Sequence, residues 1–364
     1  MTIKYLEEYR SREISQGLMA RVREIAVRPV RIMEVCGTHT VALFRSGIRS
    51  MLPDTVDLLS GPGCPVCVTD QGEIDAFIAL AREPDVIVAT FGDLMRVPGS
   101  GSSLQQARAA GSDVRVVYSA FDALDIARRN PSRRVVFLGV GFETTAPTIA
   151  ATIVTARRKG LENFAVFCAH KRVPPALEAL LSSERVHIDG LLLPGHVSVI
   201  IGVDAYRDLV RRHARPCVVA GFEAVDLLQA LVLLLEQIQE GQPRLANAYP
   251  RAVTDGGNPK ALEVMAEVFR PADACWRGIG VIADSGLKIR ERFAAFDAAR
   301  VFGIAARRVP EPPGCACGEI LTGGRKPPQC GLYATACTPS NPVGPCMVSS
   351  EGTCAAYYRY HRSP

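Results

Sequence analysis

The chain has 364 residues, 48% of them hydrophobic and 22% charged, with a formal net charge of +5. The length suggests two or three domains, and the balance argues for a soluble globular protein and against disorder. The basic excess is spread along the chain and aromatic residues are 6%, which excludes the clustered stripe and stacking platforms of a nucleic-acid binder.

Residues 3–27, rich in Glu, Arg, Leu and Ala, read as helix up to Pro29. Four short apolar strands follow, each running into a small or polar loop. Val30 to Val35 leads into Cys36-Gly37-Thr38-His39-Thr40, and Val56 to Leu59 into Gly61-Pro62-Gly63-Cys64-Pro65-Val66-Cys67. Val86 to Thr90 and Val114 to Tyr118 lead into Phe91-Gly92-Asp93 and Ser119 to Asp122. The pattern then restarts. Val135 to Val140 runs into Gly141-Phe142-Glu143-Thr144-Thr145, Ala165 to Cys168 into Ala169-His170-Lys171, Ile188 to Leu193 into Pro194-Gly195-His196, and Cys217 to Ala220 into Gly221-Phe222-Glu223. Helical stretches such as 70–82 and 103–110 separate the strands, so the expected fold is α/β with parallel sheets covered on both faces.

The two sets of four strands resemble an internal duplication. Leu58-Leu59-Ser60-Gly61-Pro62-Gly63 matches Leu191-Leu192-Leu193-Pro194-Gly195, and Phe121-Asp122-Ala123-Leu124-Asp125 matches Phe222-Glu223-Ala224-Val225-Asp226. The expectation is two similar α/β domains, 30–130 and 131–245, whose C-terminal strand edges share a cleft, since such edges bind ligands. Residues 227–240 read as a buried helix, Gly256-Gly257-Asn258-Pro259 as a turn.

Twelve cysteines are present, six of them after residue 314. No apolar signal segment follows Met1, and the apolar stretches 188–203 and 227–235 are too short or interrupted to cross a bilayer. A reducing cytoplasm is therefore expected, where clustered cysteines favour metal binding or thiol chemistry over crosslinks. The tail after Val309 is rich in Pro, Gly and Cys and lacks apolar periodicity, so burial alone cannot hold it. Cys315, Cys317, Cys330, Cys337, Cys346 and Cys354 offer six soft thiolates for a centre that needs four. Compact Cys-x2-Cys knuckles are missing from the tail, which favours a [4Fe–4S] cluster over zinc, but spacing alone does not choose the four ligands.

At the front, Cys64-Pro65-Val66-Cys67 stands between a strand and a helix, the setting of an exchange-active thiol pair, with a zinc half-site as the rival. Cys36 with His39 three residues on reads as a nucleophile with its base or as a two-ligand metal hold, against a core cysteine beside a satisfied turn histidine. Glu143, Thr144 and Thr145 offer oxygens to an anion or a metal's outer shell, or simply cap a helix. His196 reads equally as ligand or packed loop residue, and His170 beside Lys171 and Arg172 as an anion-facing edge. Glu223 and Glu351 carry no firmer assignment. Cys168, Cys217 and Cys275 read as buried small hydrophobes.

Five segments, Cys36 to Thr40, Gly61 to Cys67, Gly141 to Thr145, Pro194-Gly195-His196-Val197-Ser198 and Cys346-Met347-Val348-Ser349-Ser350-Glu351-Gly352, together resemble the HypD family of hydrogenase maturation factors, over about residues 5–360. The resemblance implies a scaffold and redox component for assembling the Fe(CN)2CO group of [NiFe]-hydrogenases. A transient Fe(II) carrying cyanide and carbon monoxide would be held between Cys36 and the small chaperone HypC. HypE would deliver the cyanide. It implies Cys64 and Cys67 as the redox pair, with His39 beside the iron. Thr38, Thr40, Glu143, Thr144, Thr145 and His196 are the accompanying polar residues. The family spacing Cys-x14-Cys-x6-Cys-x16-Cys selects Cys315, Cys330, Cys337 and Cys354 as cluster ligands and leaves Cys317 and Cys346 outside. It also implies a third, cluster-binding lobe built from 246–364 with the N-terminal helix 3–27. No nucleic acid or membrane partner is expected. The rival readings are a self-contained iron–sulfur disulfide reductase, which gives the Cys36 loop no task, and a zinc-stabilised binding module.

Overall fold

The computed structural model describes residues 8–183 and 187–361; residues 3–7 of the expected first helix lie outside them. All eight expected strands form: β1 Val30–Glu34, β2 Val56–Ser60, β3 Val86–Thr90, β4 Asp113–Val116, β5 Arg134–Gly139, β6 Phe164–Cys168, β7 Gly190–Pro194 and β8 Cys217–Ala220. Three more appear: β9 Leu245–Asn247 and a hairpin of β10 Phe269–Trp276 with β11 Gly280–Ile289.

The strands build two parallel sheets. One has the order β2-β1-β7-β8-β9 and the other β4-β3-β5-β6. This corrects the expected division at residue 130. Neither half of the chain makes a sheet of its own. The first sheet joins β2-β1 to β7-β8-β9, and the second joins β4-β3 to β5-β6. The chain leaves the first sheet after β2, completes the second with β3 to β6, and returns at β7.

Alternation along the strands divides the core. Val88, Val136, Leu138, Leu191 and Leu193 point into a core shared by both sheets and by the Cys-rich tail. Ile87, Ala89, Val135 and Phe137 face the opposite way, onto the helix Ala146–Arg158 and Phe293. Leu192 and Val218 face a third cluster. With both faces buried, the strands need no polar alternation, which is why they read as continuous apolar runs.

The first helix, Arg12–Ile25, belongs to that third cluster. Its Met19, Val22 and Ile25 pack with Leu227, Leu231 and Leu235 of the helix Ala224–Glu240 on the outer face of the first sheet. The expected pairing of this helix with the tail is therefore corrected: its apolar stripe is covered by the α/β body. The tail reaches that body elsewhere. Its last helix, Thr353–Tyr360, packs on the helix Gly37–Arg45, and the short helix Pro345–Val348 packs on Pro65–Val68.

Candidate functional site

Cys36 and Cys64 arise from one local device used twice. Each is the extended residue that ends a β-strand loop and caps a helix, Gly37–Arg45 and Pro65–Val68 respectively. Because β1 and β2 are paired neighbours in register, the two caps meet. Gly37 N–H donates to the Gly63 carbonyl at 3.2 Å, and a methyl group added at Gly63 would collide with the Cys36 backbone. Glycine is required there by close approach alone. Cys64 and Cys67 form a disulfide beneath this contact, and the Cys67 N–H points at the Cys64 sulfur at 3.2 Å.

Cys36 opens into a cleft of about 340 Å³. Its wall gathers loops from both sheets and the tail: Thr38 and Gly63, Phe142 and Thr144, Pro194 and His196, and Glu351. Thr38 donates to Glu351 Oε1 at 2.7 Å across 313 positions of sequence. Burial and the Glu351 carboxylate push the Cys36 thiol up to about 11, against the opposing N–H groups of His39 and Thr38 and the Thr38 hydroxyl. A free Cys36 is thus a protonated thiol at neutral pH, and a bound cation would have to displace that proton.

The remaining polar residues of the sequence motifs do not all reach the cleft. His39 is fully buried, its Nε2 3.2 Å from the Ala220 carbonyl and its Nδ1 without a partner. Burial pushes it down to about 4, so it is neutral at physiological pH. Thr40 turns back on the Cys36 carbonyl at 3.4 Å. Glu143 is buried behind the wall, accepting the Val173 N–H at 3.0 and 3.3 Å, and burial pushes it up to about 7. Thr145 stands at the N-cap of Ala146–Arg158 without a capping side-chain bond, and its hydroxyl donates to the Phe142 carbonyl at 3.4 Å. Glu223 pairs with Arg10 at 2.7 Å. Of the three edge residues expected to meet anions, His170 and Lys171 are buried, His170 Nδ1 contacting Cys168 Sγ at 3.3 Å and Lys171 pairing with Glu73 at 2.7 Å, while Arg172 donates to the Asp284 carbonyl at 2.8 Å. Of the three expected core cysteines only Cys217 is fully buried. Cys168 and Cys275 are partly exposed, and Cys275 contacts Asp70 Oδ2 at 3.2 Å.

All six tail cysteines line one small cavity, closed by Ile320, Leu332, Tyr333 and Met347. Cys317 and Cys346 are in sulfur–sulfur contact at 2.6 Å. Contacts from Cys315 and Cys346, with help from the Arg277 guanidinium, pull the Cys317 thiol down. Among the described residues no group of three or more His, Cys, Asp or Glu is drawn together as the ligands of a single metal ion. The donor set is soft, buried and apolar in its surroundings, which suits iron–sulfur chemistry. Reading the sequence alone missed the Cys317–Cys346 contact and the Thr38–Glu351 bond. Thr38, Cys346 and Glu351 were marked only by their place inside motifs, and Cys317 only as one of the six tail cysteines.

Comparison with known proteins fits this constellation. The family model for HypD, described as the hydrogenase formation hypA family, matches residues 13–361. The chain belongs to the HypD family. It is 48% identical to the hydrogenase maturation factor HypD of Cupriavidus necator, covering 99% of this chain and 98% of that protein. It is 46% identical to the HypD proteins of Rhodobacter capsulatus and of Escherichia coli K12, covering 98% of both chains in the first case and 99% of both in the second. Among the described residues no helix is long and apolar enough to cross a membrane.

Proposed function

We propose that this HypD-family chain is the scaffold and redox component on which the Fe(CN)2CO group of [NiFe]-hydrogenase is assembled. The observation that carries the reading is the close backbone contact of Cys36 with Gly63, the residue before the Cys64–Cys67 disulfide, at a cleft that Cys36, Gly63 and Pro65 line. Iron is cargo here. Cys36, once deprotonated, supplies one thiolate to Fe(II) and the partner chaperone HypC a second; thiolates donate the electron density that cyanide and carbon monoxide require of the metal. Thr38, Thr144, His196 and Glu351 form the polar wall around that ion. Their reach into the cleft supports an orienting role, whereas Thr40, Glu143 and Thr145 hold the loops from behind.

Cyanide delivered by HypE as a thiocyanate needs two electrons and one proton to leave sulfur: R–S–CN gives R–SH and CN⁻. Cys64 and Cys67, as dithiols, release two electrons and two protons when their disulfide closes. The oxidised pair is then reopened by two electrons from an external one-electron donor. A [4Fe–4S] cluster on Cys315, Cys330, Cys337 and Cys354 would pass such electrons singly. A cube of four irons spreads its thiolates wider than one zinc ion does, which agrees with six sulfurs around one cavity. The helix carrying Cys346 packs on the helix carrying Cys67, so the cavity wall and the disulfide lie on neighbouring helices. Free thiols and an exchange-active pair favour a reducing cytoplasmic site of action.

Protein purified anaerobically with HypC tests this by infrared spectroscopy and by iron and sulfide counts. Cyanide and carbon monoxide bands with iron in excess of the cluster are expected. Cys64→Ser should keep the extra iron but lose the cyanide bands. Cyanide bands of wild-type intensity in that variant, or zinc in place of iron and sulfide in the tail, overturn the reading.

A further inference from the structure

The two histidines of the front motifs are held by a turn that no motif includes. Phe222 lies between them: its ring stacks on His196 at 3.8 Å and 22°, and on His39 at 4.8 Å and 35°. Two residues earlier the Ala220 carbonyl accepts from His39 Nε2. One short turn therefore fixes the tautomer of the buried ring and the tilt of the ring at the cleft mouth.

That turn is clamped from outside the cleft. Asp226 Oδ2 accepts the N–H groups of Phe222 and Glu223, both at 3.1 Å. The same carboxylate, fully buried, receives the Arg251 guanidinium through two bonds of 2.6 Å. Arg251 is in turn sandwiched, 3.6 Å from the Tyr9 ring centre and 4.5 Å from that of Tyr249. A bidentate guanidinium stacked on aromatic faces is the arginine geometry that lysine cannot copy. Space is exhausted around the turn. A methyl group at Gly221 would meet Asp226 and Tyr249, and one at Gly195 would meet the Ala220 carbonyl, Tyr249 and Phe222.

We propose that Asp226, locked by Arg251 between Tyr9 and Tyr249, is the positioning residue for His39 and His196. It keeps His39 as the Nε2–H tautomer with a bare Nδ1, and holds His196 flat on Phe222 beside Cys36. The functional meaning rests on the cleft being the iron-assembly site; the geometry does not. The plainer role for Asp226 is to complete the capping box of Ala224–Glu240.

The test uses the full chain with labelled histidine and long-range proton–nitrogen correlation. The wild type should show His39 as the Nε2–H tautomer and His196 ring protons shifted upfield by Phe222. Asp226→Ala should lose the upfield shift and give a tautomer mixture at His39. Asp226→Asn should restore both only in part, because its amide oxygen still accepts the two N–H groups while the ion pair with Arg251 is lost. A folded Asp226→Ala with both signals unchanged overturns the proposal. If that variant does not fold, Arg251→Gln is read instead. It leaves the cap in place, and unmoved His196 signals overturn the proposal equally. Iron retained on a variant whose rings have moved counts against the role of His196 at the iron, and leaves the clamp standing.

Discussion

Two groups of thiols in this chain are held by opposite means. At the front, Cys36 and Cys64 sit at the ends of neighbouring strands, and helix amide groups face the Cys36 and Cys64 sulfurs. At the tail, six thiols converge from turns and helices of four to eight residues, with glycines where the backbone crowds them. The front is a site the backbone defines before any metal arrives. The tail has little regular structure of its own, so a metal centre held by its sulfurs would contribute to its folding.

The largest effects should separate the two groups cleanly. Cys36→Ala is expected to abolish retention of the cleft iron and its cyanide bands, with sulfide content and thermal melting unchanged. Cys337→Ala is expected to lose the tail sulfide and to expose residues 310–361 to proteolysis while the sheets persist. Iron and sulfide counts with limited proteolysis check both. Cyanide bands surviving in Cys36→Ala would break the comparison at its front half.

Smaller changes test the backbone itself. In Gly63→Ala the new methyl group meets the Cα and N of Cys36, atoms fixed by the pairing of β1 with β2. No side-chain rotation relieves this, and a cost of about 3 kcal/mol in urea unfolding is expected, with loss of the cleft iron. Wild-type stability and iron content would mean that the cap geometry is softer than the sheet register implies.

Strands β1 to β8 were legible because parallel strands buried on both faces carry an apolar signal in nearly every residue. Their partners were not. Whether β3 joins β2 or starts a second sheet depends on contacts far apart in sequence, and the return of β7 beside β1 leaves no local trace. β10 and β11 escaped because Pro271 and a mostly exposed face blur the alternation. In the site, strand-end loops announced Cys36, Cys64 and His196. Burial of His39 and Glu143 behind the wall could not be read, because polar residues at a strand end look alike whether they face solvent or a neighbouring helix.

Glu143 offers a pH-dependent measure of that hidden layer. Burial raises it from 4.5 to about 7, so the folded chain keeps a proton that the unfolded chain releases. Its contribution is full below about pH 4.5 and is lost as pH rises through 7, a difference of about 3 kcal/mol. His39, lowered from 6.5 to about 4, works in the other direction: stability is lost as pH falls below 6.5. Replacing Glu143 with Gln removes only the first trend. The stability of Glu143→Gln relative to wild type should therefore rise by about 2–3 kcal/mol between about pH 5 and pH 8. A constant difference in denaturant unfolding would place Glu143 in contact with water.

The smallest stability effect is expected at the tail glycine that mirrors Gly63. A methyl group at Gly344 meets the Cys315 sulfur at 2.8 Å and Cys317 Cβ at 3.8 Å. The first obstacle is a side-chain atom that can swing aside, so Gly344→Ala should cost about 1 kcal/mol or less. The displaced sulfur is nevertheless one of the four proposed cluster ligands. Sulfide content should fall more than melting temperature, the reverse of the order expected for Gly63→Ala. Were Gly344→Ala to unfold the tail and keep its sulfide, the backbone would define the tail as firmly as the front, and the contrast between the two groups of thiols would be gone.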